Sequence, residues 1–280
     1  MNPGPHAFAL PGPRRIRALQ TRLLSWYAAN RRDLPWRRTT DPYAILVSEI
    51  MLQQTQVPRV VPRFGEWLEA WPDLESLAGA PLSSVLRRWQ GLGYNTRARR
   101  LQECAAATVS AAPAGRRAEL PTSIDGLRAL PGIGPYTARA VLIFAHDADL
   151  AAVDANVRRV LTHELELPPD LHDRDLQAVA EAALPIGRSR DWHNALMDYG
   201  SLVLTARATG IAPRGRQGTF EGSRRQKRAR LLRQLLDHGP QTPGQLGTAL
   251  GLTAGEVEDL VARLRRDGLV TEAGGLVAVA

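Results

Sequence analysis

The chain holds one cysteine in 280 residues, Cys104. A lone thiol excludes an internal disulfide and any cage built from cysteines alone. Lysine is as scarce: Lys227 is the only one, and arginine supplies the rest of the 36 basic residues. Chemistry that passes through a Schiff base needs an amine, which here means Lys227 or the α-amino group. No apolar run approaches the roughly 20 residues that span a bilayer. The longest, Ala140-Val141-Leu142-Ile143-Phe144-Ala145, reads as part of a buried helix. The stretch from Met1 to Pro13 is proline-rich, without a basic start and apolar core. It is therefore expected to be a disordered tail rather than a secretion signal.

What the chain has in excess is positive charge, +8 at neutral pH. A basic surface favours nucleic acid or anionic lipid. With 44% hydrophobic and 23% charged residues, the composition fits a soluble globular protein of one large or two modest domains. The bacterial cytoplasm, at the nucleoid, is the expected compartment, with no membrane contact and a monomeric state.

Apolar residues recur at helical spacing through most of the chain. Helices are expected over 16–30, 43–56, 63–71, 81–90, 96–110, 123–130, 136–146, 156–165, 174–183 and 191–204. Beyond Leu204 the composition shifts to glycine, proline and arginine, which reads as a linker. Helices over 226–238, 242–250 and 253–266, with strands over 268–271 and 276–279 around Gly274-Gly275, predict a winged-helix module. The expected fold is all-α: a tail over 1–15, a two-lobed helical body over 16–206, a basic linker over 207–225 and the module over 226–280.

One turn stands out, Leu130-Pro131-Gly132-Ile133-Gly134-Pro135-Tyr136-Thr137, opening a helix. Glycine reaches backbone angles that side chains forbid, so the turn can press its amides close to a ligand. A helix N-terminus offers those N–H groups and a partial positive charge to an anion such as a DNA phosphate. A carboxylate comes next, in Val153-Asp154-Ala155-Asn156-Val157. Asp154 alone reads equally as an N-cap of the next helix, and capping does not remove its charge. Glu49 lies in the apolar segment Ser48-Glu49-Ile50-Met51-Leu52-Gln53-Gln54-Thr55-Gln56-Val57. Partial burial there would raise its pKa and keep it protonated; alone, it also reads as a buried carboxylate capping a neighbouring helix.

These segments, with Leu34-Pro35-Trp36-Arg37 and Trp89-Gln90-Gly91-Leu92-Gly93-Tyr94, occur in the order seen in the helix-hairpin-helix (HhH-GPD) DNA glycosylase superfamily. The chain most resembles its MutY-like adenine glycosylase branch, over about residues 16 to 206. The resemblance implies a base-excision-repair enzyme acting on double-stranded DNA that carries a mismatch or lesion. The implied substrate is a flipped adenine opposite 8-oxoguanine or guanine. By the resemblance Glu49 protonates the leaving base, Asp154 supports the cationic sugar and Tyr136 hydrogen-bonds into the same site. Gln54 and Tyr94 wedge into the duplex, Thr55 contacts the opposite strand, and Gly132, Ile133, Gly134 and Thr137 belong to the DNA-binding hairpin. Arg32, Arg37, Asn156 and Asn194 align with the base pocket. Lyase relatives carry lysine where Tyr136 stands, so a monofunctional enzyme without lyase activity is implied.

The chain also departs from the family. Relatives continue into a four-cysteine loop that holds an iron–sulfur cluster; here Leu204-Thr205-Ala206-Arg207-Ala208-Thr209-Gly210 has none, so no cofactor is expected. The hairpin could still host a monovalent cation. Arg207, Arg214, Arg216, Arg224 and Arg225 are candidates for the DNA contacts the cluster would organise, or are merely solvated. Asn194 stands where Gln or Glu is usual, and Asn95 succeeds Tyr94 where a second aromatic is common. Two alternatives stay open: a thymine or uracil mismatch glycosylase, and a non-catalytic DNA-binding protein on a glycosylase scaffold. The acids of Glu256-Val257-Glu258-Asp259 would repel phosphates at the start of the module's third helix. A packing role, or a protein partner that the sequence does not identify, is therefore expected for the module.

Overall fold

The structure, a computed structural model, describes residues 9–211 and 221–280. Residues 1–8 of the expected tail, and Arg214 and Arg216 of the linker, lie outside the described residues. The first helix, α1 (Pro13–Asn30), starts three residues before its apolar stripe, because a proline at N1 forfeits no helical hydrogen bond. Next, α2 (Pro42–Leu52) ends short of the expected Gln56. Gln54 adopts a φ of 55°, a left-handed conformation that no helix interior holds. In α3 (Val57–Ala70) the helix begins earlier than expected, taking Pro58 in its first turn and Pro62 inside. Pro58 occupies a first-turn position whose N–H would have no helical partner, whereas Pro62 forfeits one ladder bond.

Apolar spacing does not find α4 (Leu74–Ala78); a reciprocal capping box between Asp73 and Ser76 makes it. The body continues with α5 (Leu82–Trp89), α6 (Thr96–Ala111), α7 (Ile124–Arg128), α8 (Pro135–His146), α9 (Ala155–Glu164), α10 (Asp173–Ala182) and α11 (Ser189–Leu202). A one-turn helix, α12 (Ala206–Thr209), is closed by Gly210 at a φ of 70°. The C-terminal module holds α13 (Arg224–His238), α14 (Pro243–Leu250), α15 (Ala254–Arg266), β1 (Val270–Ala273) and β2 (Leu276–Val279). Its two strands are antiparallel, pairing Val270 with Val279 and Ala273 with Leu276. Gly274 and Gly275, at φ 58° and 76°, supply the two positive angles of a tight hairpin turn. Three helices and this hairpin form the winged helix.

The described residues divide into two compact units. One takes 9–46, 121–128 and 133–211; the other takes 47–120, 129–132 and 221–280. The first packs α1, α9, α10 and α11 around Leu23, Val160, Leu176, Trp192 and Leu196. In the second, Trp67 meets Trp71 and Trp89 edge-on at centroid distances of 4.7 and 5.4 Å. Leu231, Leu235, Val257, Leu264 and Val277 are the buried centre of the C-terminal module. That module is tied by arginines to the helices sharing its unit. Arg99 Nη1 donates to the Asp267 carbonyl at 2.9 Å, and Arg233 Nε to Gln90 Oε1 at 2.9 Å. A Cβ on Gly268 would come within 2.3 Å of the Arg99 guanidinium, so glycine is what lets the two approach. Among the described residues, no helix is long and apolar enough to cross a membrane.

Candidate functional site

Asp154 is the N-cap of α9. Its Oδ1 accepts from Val157 N at 2.6 Å and its Oδ2 from Asn156 Nδ2 at 3.0 Å. Arg159, buried one turn on, donates to Asn156 Oδ1 and to the Gly200 carbonyl, each at 2.6 Å, and to the Leu204 carbonyl. The cap, the amide and the guanidinium thus form one chain from the start of α9 to the end of α11. Gly200 allows it: a Cβ there would lie 2.9 Å from Asn156 Cβ and 3.1 Å from Val160 Cγ2. Burial raises the Asp154 carboxyl above the usual aspartate range, with the Val157 and Asn156 hydrogen bonds and the Arg159 charge pulling the other way.

His193, which sequence reasoning did not single out, fixes the approach to Asp154. The Ala152 amide donates to His193 Nε2 at 3.0 Å, so the ring proton sits on Nδ1 and goes to the Ser189 carbonyl at 2.7 Å. Burial lowers the pKa of this imidazole, favouring the neutral tautomer that can accept from Ala152.

Arg32 and Arg37 converge on a second overlooked residue, Asp198. Its side chain is wholly buried, Arg37 grips both oxygens at 2.7 and 2.8 Å, and Arg32 Nε adds a bond of 2.6 Å. Burial alone would raise the Asp198 carboxyl, but Arg37 and the Arg32 amide and side chain hold it below its usual value. Asn194, buried, lies four residues before Asp198 on α11, hence on the same face. No apolar stripe marked Asp198 in the sequence, because its helix face also carries Asp191 and Asn194.

In the other unit, Glu49 is half-buried on α2 between the buried Ser48 and Ile50. Arg97 organises the C-terminal end of this helix and the turn beyond it. Nη1 donates to the carbonyls of Ile50, Met51 and Gln53 at 2.7, 3.0 and 2.6 Å. Nη2 donates to Thr55 Oγ1 at 3.1 Å and to the Leu92 and Gly93 carbonyls at 3.0 and 2.9 Å. One guanidinium therefore closes the end of α2 and joins it to the glycine turn after α5. Burial pushes Arg97 down to about 10. Gln54 and Tyr94, on these two segments, are both non-glycine residues with positive φ, 55° and 48°. Strain of this kind costs about 1–3 kcal/mol a residue and clusters where a site is held ready. Sequence reading did not show that Arg97 points its fork at carbonyls.

At the hairpin, Gly132 has a φ of 80°, and a Cβ there would meet Arg100 Cβ at 2.8 Å. Gly134 differs: it is extended, and nothing of the protein lies within 4 Å of where its Cβ would be. Its lack of a side chain leaves open space rather than serving a backbone angle. No side chain caps the N-terminus of α8. Ile133 and Thr137 are buried and Tyr136 half-buried. The lone lysine, Lys227, is bound to Glu256 at 2.5 Å in the C-terminal module.

A four-thiolate cluster does not fit this chain. Its one cysteine is buried on α6, where burial pushes the thiol up to about 12, away from the thiolate a cluster needs. Residues 47–184 match the HhH-GPD superfamily base excision DNA repair protein family. The adenine DNA glycosylase of Mycolicibacterium smegmatis is 41% identical over 92% of this chain and 94% of its own length. A thermostable thymine-DNA glycosylase structure superposes with a TM-score of 0.63 at 30% identity, over 70% of this chain and 90% of its own. An endonuclease III–DNA covalent intermediate shares the fold, with a TM-score of 0.61 at 20% identity over 72% of this chain and 90% of its own. The chain belongs to the HhH-GPD superfamily of base excision DNA repair glycosylases, in the branch of its MutY-like adenine DNA glycosylase relatives.

Proposed function

We propose that the protein is a monofunctional, cluster-free glycosylase that removes adenine mispaired with 8-oxoguanine or guanine in duplex DNA. One observation carries the choice of base. The likeness to an adenine glycosylase spans 92% of the chain, at higher identity than the likeness to a thymine glycosylase, which spans 70%.

Breaking the bond between base and deoxyribose sends its electron pair to the base and leaves positive charge on the sugar. Glu49 gives its proton to the departing base, Asp154 in its ionised form supports the cationic sugar, and water adds at the anomeric carbon, its released proton restoring the acid form of Glu49. Tyr136, Asn156 and Asn194 hold the extruded nucleoside; Arg32 and Arg37 act through Asp198, and thus on the face that carries Asn194. Asn194 is one methylene shorter than the usual Gln or Glu, so its hydrogen bonds to the base are displaced from where the longer side chain would make them. The product is an abasic site, because Tyr136 supplies no amine for strand cleavage and Lys227 is engaged by Glu256.

The test is single-turnover base release from A·8-oxoG, A·G, T·G and U·G duplexes by wild type, Glu49→Gln and Asp154→Asn. Adenine release by wild type alone, without borohydride-trapped adduct, is expected. Release of thymine or uracil instead would select the mismatch-pyrimidine reading. No release by any of the three, with binding intact, would select a non-catalytic DNA-binding protein.

A further inference from the structure

The 47–120 and 221–280 unit contains an open cleft of about 680 Å³ between α13, the end of α15 and the turn at residues 90–96. Six arginines line it: Arg59, Arg224, Arg225, Arg228, Arg233 and Arg263. Asp267 is the only carboxylate in the lining, and Arg228 is paired with it. Leu86, Leu92, Leu232 and Leu236 provide an apolar floor. The two strained residues of the unit, Gln54 and Tyr94, both face this space. Arg225 Nη1 lies 2.7 Å from Tyr94 Oη, and its guanidinium carbon is 5.5 Å from the ring centroid; that of Arg97 is 5.7 Å away.

We propose that the C-terminal module is a DNA clamp: this cleft takes a phosphodiester strand of the bound duplex, and Arg225 is a positioning residue that presents Tyr94 to it. The chemistry is specific enough to name the ligand class. An apolar floor, an aromatic ring and a rim of guanidinium groups match a sugar-phosphate strand with its bases, where arginine meets phosphate and bases stack on π-faces. A protein or membrane partner would not require the strained Gln54 and Tyr94 in the same wall. The module thus contributes through α13 and backbone contacts, without reading sequence through α15. Of the acids of α15, Glu256 pairs with Lys227, and Asp259 pairs with Arg263 at the rim of the cleft and offsets its charge.

This inference rests on the glycosylase reading for the identity of the duplex, and its test separates the two. The full chain and the triple variant Arg225→Gln/Arg228→Gln/Arg233→Gln are titrated with an A·8-oxoG duplex across salt. A double variant outside the cleft, Arg230→Gln/Arg266→Gln, removes exposed charge from the same module. The cleft variant is expected to bind about tenfold or more weaker at physiological salt, its slope of log K against log salt shallower by roughly 2–3. The double variant should keep most of the wild-type slope. An Arg→Lys triple variant retains charge and is expected to restore the slope without restoring the bond to Tyr94; melting curves confirm that all fold. A cleft variant with the wild-type slope, or an equal loss in the double variant, overturns the clamp. Base release on the same samples judges the enzyme separately. Wild type that binds with full slope but releases no base overturns the glycosylase reading and leaves the clamp to be decided by the slopes.

Discussion

Asp154 caps α9 and, in the proposed reaction, also supports the cationic sugar; the two tasks can be separated. Asparagine caps helices as well as aspartate does, whereas alanine costs about 1 kcal/mol at such a position. Asp154→Asn should therefore melt close to wild type while losing about 10²–10³-fold in single-turnover base release. Asp154→Ala should lose activity and stability together. In the proposed reaction the same carboxyl sets the pH profile. If the ionised form acts, the rate rises with pH through a pKa that burial has raised. The acid limb should then lie above the ordinary aspartate value of about 3.9 and vanish in Asp154→Asn. An acid limb at or below that value would remove Asp154 from the chemistry. The identity of this residue was legible in sequence, because a short polar side chain before an apolar helical run is a cap signal. Its coupling through Arg159, on the same helix, to Gly200 was not, since Gly200 lies on α11, which only folding brings near.

At the scale of elements, single contacts decide where helices end and how closely they pack. Arg97 holds carbonyls from two segments that are about 40 residues apart in sequence. Removing it leaves those carbonyls unpaired beside a strained turn. Arg97→Met should destabilise by about 3 kcal/mol in urea titrations, in the range of a lost charged network. It should also weaken DNA binding, since Gln54 and Tyr94 lose their common support. Gly200→Ala forces a methyl group onto Asn156 and should cost about 1–3 kcal/mol, with activity falling because the Asp154–Asn156–Arg159 chain shifts. Helix existence was largely readable from spacing. Helix ends were not: α2 stops early for the left-handed Gln54, α3 starts early through its prolines, and α4 depends on a cap rather than a stripe.

For the whole molecule, acid stability reports two buried groups in two windows. His193 has a lowered folded pKa, so the unfolded chain binds its proton more readily. Its contribution is complete above the unfolded value of about 6.5 and is lost as pH falls through the folded one. Asp198 is also lowered, so its contribution is present above about 3.9 and lost below that, as pH falls through its depressed value. Melting temperature should drop in two stages on acidification, and His193→Gln should remove the first. A single stage confined to the carboxylate range would contradict this account of His193. What the sequence determined by itself was the local grammar and the chemistry it permits. It set helical periodicity, the glycine turn, the absence of thiolates for a cluster, and a surplus of arginine. Those depend on residue types at short spacing, which a chain displays before it folds. Only the tertiary structure decided which arginines are structural and which line a surface. Arg32, Arg37, Arg97 and Arg159 serve carboxylates and carbonyls, while Arg225, Arg228 and Arg233, themselves bonded to Tyr94, Asp267 and Gln90, also rim a cleft. A guanidinium is the same fork wherever it stands, so its role is set by what long-range packing puts within three ångströms of it.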